Sequence, residues 1–171
     1  ITRCTNLVLN VQHAEQVSIG TCTDLNLVCE FSGVTLDQAQ NATVSLQHSK
    51  LNAKAVRNLN GSLRHSAIDI KEVAETLSIP LAEHSAIAAS IVSAKDFKSA
   101  TANAQFGAII LQIPKELEAT YLLEHEFGVI AIDKGIKTLN HTSTEEMSFQ
   151  SCTGSIGKAG ASSRIKLTGT H

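Results

Sequence analysis

One phrase occurs three times within residues 46–91: Leu46-Gln47-His48-Ser49, Leu63-Arg64-His65-Ser66 and Leu81-Ala82-Glu83-His84-Ser85. Each is followed at once by alternating apolar or small residues, Leu51-x-Ala53, Ile68-x-Ile70 and Ile87-x-Ala89-x-Ile91. The spacing of the His-Ser pairs is 17 and then 19. A polar dipeptide returning at one position of a repeat, with period-2 apolar segments on both sides, is the signature of a stacked β-solenoid. A short strand that hides only every second residue cannot bury its apolar face alone. Stacking the rungs buries that face and pairs each backbone group with the rung above and below.

The rhythm extends beyond the three phrases. A second strand of each rung can be anchored at Val17, Val34, Leu51, Ile68, Ile87 and Phe106, with steps of 17, 17, 17, 19 and 19. The left-handed hexapeptide coil is a competitor, since eighteen is three times six. That coil needs an aliphatic residue every six positions, whereas the apolar clusters here fall about 7 to 10 apart, which favours a right-handed β-helix-like or irregular solenoid. Asp69 to Leu77 and Ala94 to Ala104 tolerate helix by composition, but the period-2 phase runs through their surroundings. Pro80 cannot donate in a ladder, so it marks a rung corner or a strand position without a partner.

After Pro114 the pattern changes. Lys115-Glu116-Leu117-Glu118 is a charged break. Ala119, Tyr121 and Leu123 then alternate, Phe127-Gly128 repeats the Phe106-Gly107 turn, and Val129-Ile130-Ala131-Ile132 reads as a strand. Ile136 to Glu146 is polar and reads as a loop. Met147 to Cys152 and Arg164 to Thr168 read as strands, with Gly154, Gly157 and Gly160 as a turn between them. The expectation is one all-β domain over 1–171, with regular rungs over 1–113 and C-terminal strands and cap over 114–171.

Composition agrees with a thin layered core. Apolar residues make up 43% of the 171, yet aromatics only 4%, and there is no Trp. Val, Ile, Leu and Ala fill such layers without large rings. A formal charge of −2 argues against a general nucleic-acid footprint. No run of 18 apolar residues is present, so no transmembrane helix is expected. Of the four cysteines, Cys4 and Cys22 lie about one rung apart, and stacked rungs would bring them within disulfide range. They are read as stacked thiols or a disulfide. Cys29 shares the phase of Leu25 and Leu27 and reads as core.

The candidate binding residues are His48, His65 and His84, which in-register stacking places about 4.8 Å apart on one corner. Metal ligands normally converge on a point rather than form a line, so a stacked turn ladder with Ser hydroxyls closing each turn is the stronger reading. No metal or cofactor is expected. The acidic residues Asp24, Asp37, Asp69, Asp96 and Asp133 recur at no common position, unlike the paired carboxylates of glycan-cleaving enzymes. No phosphate-cradling loop or nucleophile elbow is present.

The stretch Phe106-Gly107-Ala108-Ile109-Ile110-Leu111-Gln112-Ile113-Pro114, then Glu118-Ala119-Thr120-Tyr121 and Glu126-Phe127-Gly128-Val129-Ile130, with the closing residues 154–167, resembles the auto-transporter adhesin head-domain family of bacterial β-solenoid proteins and its relatives. The resemblance covers roughly residues 104–170. The His-Ser ladder and the cysteines depart from it. It implies a non-enzymatic, adhesin-like module at the cell surface or in the periplasm, with a protein or glycan ligand. Two alternatives remain: a scaffold that self-associates through solenoid ends, with the N-terminal edge at residues 1–9 as the contact, and, more remotely, a carbohydrate-active enzyme.

Overall fold

The computed structural model describes residues 1–126, 138–146, 149–157 and 161–170, and for 138–146 it describes the backbone course only. The Phe127-Gly128 turn and the Val129 to Ile132 strand lie outside these residues. The described chain contains strands and turns and builds a β-solenoid of about six coils. Among the described residues no helix is long and apolar enough to cross a membrane.

Strands β1 (Arg3–Gln12), β2 (Val17–Glu30), β3 (Gly33–Gln47), β4 (Lys50–Arg64) and β5 (Ala67–Glu83) stack in parallel, each on the next. Two short strands per rung were expected. Instead β2 to β5 each run uninterrupted for 14 to 17 residues. The chain turns by changing its inward step. In one coil the buried positions are Val34, Leu36, Ala39, Ala42, Val44, Leu46 and Ser49, and Leu51 begins the next. Steps of two keep a straight pleat. The three-residue steps at 36–39, 39–42 and 46–49 each leave two successive residues outside and turn the chain while the ladder continues. The helix tolerance of Asp69 to Leu77 is overridden, because the segment lies inside β5 with Ile70, Val73 and Leu77 buried.

Like then stacks on like. Val34, Leu51, Ile68, Ile87 and Ile109 form one inward column, and Cys29, Leu46, Leu63 and Ala82 another, which places Cys29 in the core as expected. The column containing Ile87 corrects the anchor for the last rung. Ile109, not Phe106, pairs with Ile87, so that step is longer than the spacing to Phe106 implied. The extra length is the turn at 92–98, closed by buried Phe97, which splits the rung into β6 (Ala86–Ile91) and β7 (Ser99–Gln105). Pro80 sits in β5 where the register slips: Asn60 pairs with Ser78 but Ser62 with Leu81. A second slip sets Val56 on Val73 but Asn58 on Thr76. These two bulges, each of a single extra residue, absorb the lengthening of the rung from 17 to 19 without moving the corners.

The C-terminal part is not a simple continuation. The next half-rung is β8 (Ala108–Gln112), which pairs with β6. The strand lying on β7 is β12 (Ser163–Thr170), from the far end of the chain, and β9 (Ala119–Glu126) packs on the other side of β12. Two antiparallel strands follow, β11 (Phe149–Ile156) on β9 and β10 (Thr138–Glu146) on β11. Two expectations are corrected here. The polar segment read as a loop from Ile136 to Glu146 is the strand β10 over its described part, because ladder hydrogen bonds do not depend on side-chain polarity. Gly154 is not a turn residue but lies in β11 opposite Tyr121. Gly157, with φ +73°, ends the segment after β11, and a Cβ there would lie 2.7 Å from the Glu118 Cγ.

Candidate functional site

The corners bearing the His-Ser pairs form one straight edge. His48, His65 and His84 stack as expected, but among the described residues six rings rather than three make the ladder: His13, Phe31, His48, His65, His84 and Phe106. Successive centroids are 4.8 to 5.2 Å apart and the planes lie within 9° of parallel. All six residues have φ between +46° and +53°. For a bulky side chain such a left-handed conformation is rare and costs roughly 1–2 kcal/mol. A ring-on-ring contact contributes about 0.5–1.5 kcal/mol beyond area burial. The two terms are of similar size, so stacking offsets most of the backbone strain.

The backbone N–H groups of the ring residues are all used between rungs. The His48 N–H donates to the Arg64 carbonyl and the His65 N–H to the Glu83 carbonyl, at 3.0 and 2.8 Å. The next residue is the buried serine. Ser66 Oγ accepts from the Ser49 N–H at 3.0 Å and donates to the Arg64 carbonyl at 2.7 Å. Ser32, Ser49 and Ser85 repeat both bonds in their own coils. The serines therefore close the turns and satisfy the preceding rung. The imidazoles, in contrast, stack face to face and stand exposed at the edge.

His13-Ala14, Phe31-Ser32 and Phe106-Gly107 occupy the same corner, and the sequence reading missed them as ladder members. The signal was there in the spacing, since Ser32 precedes Ser49 by the same interval that separates Ser49 from Ser66. A ring type that changes from His to Phe hid it. Gly107 stands where four of the other coils have Ser and the first has Ala14, and a Cβ there would collide with the Ser85 carbonyl.

The rings from Phe31 to Phe106 and the small residues that follow them, such as Gly33, Ala67 and Ala86, line a shallow trough of about 900 Å³ along the edge. Among the described residues Lys50 is its one lysine or arginine. The flanking charges are Glu15, Glu30, Lys50, Arg64 and Glu83. Glu30 accepts from Gln12 at 3.0 Å and Glu83 pairs with Arg64 at 2.8 Å.

Metal ligation does not suit this geometry. Zinc–imidazole bonds of about 2.0–2.1 Å limit two nitrogens on one ion to about 4.2 Å, whereas the parallel rings repeat every 4.8 Å. No group of three or more metal-ligating side chains converges among the described residues.

Two further clusters lie elsewhere. Asp24, Asn41, Asn58 and Thr76 form an outward hydrogen-bonded ladder with links of 2.8 to 3.0 Å. Cys4 and Cys22 are register partners, with free thiols 2.6 Å apart. Burial and the neighbouring Cys4 thiol push Cys22 up to about 11. Three further acids are paired locally: Asp37 with Lys54, Asp69 with Lys71, and Glu75 with Arg57 and Lys98.

The fold and its edge define a β-solenoid that carries a continuous aromatic ladder. Comparison with protein-family models, with curated proteins and with solved structures finds no match to this chain.

Proposed function

We propose that the chain is a non-enzymatic, adhesin-like binding module, acting at a cell surface or in a periplasm, whose contact face is the ring-lined trough. The observation that carries this reading is the exposure of the ladder. A chain that needed rings only for its core would bury them, yet Phe31 and Phe106 remain 48% and 54% exposed on one straight edge with the histidines. A rigid rail of regular pitch suits an extended ligand. The engagement of Asp37, Asp69 and Glu75 in ion pairs supports binding over catalysis.

The test uses glycan and matrix-protein arrays probed with the wild-type chain and with the triple variant H48N/H65N/H84N. Asparagine tolerates the left-handed backbone, so the variant removes rings and keeps the corners. Binding by the wild type that the variant loses is the expected result. No binding to any array, with antibody labelling of source cells only after permeabilisation, would remove the adhesin-like reading.

A second reading, self-association through the N-terminal edge, is favoured by one observation. Strand β1 is paired only to β2 among the described residues, with Val8 80% exposed and Leu7 and Leu9 half-buried. An unpaired edge of this kind is a template for another strand. Light scattering across a concentration series separates the two: a monomer at high concentration dismisses the assembly.

A further inference from the structure

The rings present edges, not faces. Each face from Phe31 to His84 is covered by the next ring, over five steps of 4.8 to 5.2 Å. A ligand that stacks, as the bases of single-stranded nucleic acids do on aromatic side chains, finds no platform along this line. An aromatic edge carries the positive end of the ring quadrupole, and a protonated imidazole adds a full charge and N–H donors there. The exposed rim is therefore suited to anions. From His13 to Ser66 the corner N–H groups are already used between rungs, so along that stretch the ring edges carry the recognition.

Charge adds a condition. The groups flanking the ladder are Glu15 and Lys50 on the side after the rings, and Glu30, Arg64 and Glu83 on the side before them. Three carboxylates against two cations leave the strip at one negative charge while the imidazoles are neutral. Protonation of His13, His48, His65 and His84 carries the same strip to three positive charges. Imidazole is the side chain that changes charge between pH 5 and 8. Like charges at the ladder's pitch repel, so a bound line of anions and the protonation of the ladder favour each other.

We infer that the ring ladder is a docking rail for an extended acidic polysaccharide that displays carboxylates along its length, engaged as the histidines take up protons. This deepens the proposed binding role and rests on the trough being its contact face. The ligand is a single linear chain, because the rail is one ring wide.

The experiment is calorimetric titration of the full chain with polygalacturonate at pH 5.5 and pH 7.5, in two buffers of different ionisation enthalpy. At least tenfold tighter binding at pH 5.5, with net proton uptake, is expected, and H48N/H65N/H84N abolishes it while the circular dichroism stays unchanged. Equal binding at both pH values, or binding without proton uptake, overturns the inference. These two wild-type readouts decide the matter even if the triple variant does not fold. The single variant H65N, at the centre of the rail, is expected to weaken binding several-fold, and undiminished binding counts against the rail. Oligothymidylate binding as tightly as polygalacturonate also overturns the assignment to a polysaccharide. Silence with polygalacturonate beside an array ligand that the triple variant loses overturns the inference and leaves the binding-module reading standing. Silence in both removes both.

Discussion

Ser66 illustrates how much one buried hydroxyl can hold. Its oxygen accepts the Ser49 N–H and its proton goes to the Arg64 carbonyl, so a single atom joins one rung to the next and closes its own turn. Ser66→Ala leaves the buried Ser49 N–H without its acceptor, while the Arg64 carbonyl keeps the His48 N–H. A buried group left unsatisfied costs about 1–3 kcal/mol, and urea denaturation should show a loss of that size. His65 makes a complementary case. Its φ of +47° suits Asn or Gly and strains a β-branched residue. His65→Val should therefore destabilise more than His65→Asn, by about 1–3 kcal/mol. Equal melting temperatures for the two variants would show that the corner does not hold its left-handed backbone in solution.

At the scale of the strand, position in the stack decides what a side chain is worth. Leu9 and Leu27 occupy the same inward column on β1 and β2. Leu27 has neighbours on both sides and is fully buried, whereas Leu9 lies at the edge and is half-exposed. Leu27→Ala should cost about 2–5 kcal/mol. Leu9→Ala should cost less than half as much, and denaturation midpoints of the two variants compare them directly. Between strands, Glu75 of β5 receives Arg57 of β4 at 2.7 Å and Lys98 of the 92–98 turn at 3.1 Å. Hydrogen bonds from Arg57 and Lys98 hold its carboxyl down at about 2, below the usual 4.5. A depressed folded-state value means that the contribution is present above the unfolded value and disappears as pH falls through the folded one. The melting temperature should therefore fall between about pH 4.5 and pH 2, and E75Q should flatten that part of the profile. Arg57 and Lys98 are more than half exposed, so added salt should shrink the effect.

Over the whole molecule, a solenoid is a line of neighbours, each rung contacting only the next. Opening should therefore be graded rather than uniform. Amides of β3, β4 and β5, paired on both sides, should exchange slowest. Those of β1, paired on one side, should exchange fastest among the parallel strands, as hydrogen exchange read by mass spectrometry would resolve. β12 should exchange with the slow group although it ends the described chain, because it lies between β7 and β9.

The coil was legible in the sequence because parallel, in-register stacking is a translation along the axis. A contact between His48 and His65 is written as the same residue type returning one coil later, and the columns through Leu51 and Ile68 or Leu46 and Leu63 are written the same way. Cys4 beside Cys22 followed from that rule alone. The rule fails where translation is interrupted. The 92–98 turn lengthens the last coil, so spacing alone puts Phe106 at a core anchor, whereas it is a member of the ring ladder. Phe31 was overlooked because the repeat keeps a left-handed corner and a stacking ring, not a residue type. The insertion of β12 beside β7, and the antiparallel order of β9, β11 and β10, leave no periodic trace at all. Their hydrogen bonds run in reversed or interleaved order, and those of β12 with β7 and β9 join segments far apart in the chain. Rhythm, core phase and the line of histidines were thus determined by the sequence itself. The completion of the ladder, its exposed edge and the interleaved C-terminal strands were decided by tertiary structure, because backbone pairing accepts any strand whose ladder groups are free and whose inward side chains fit the column.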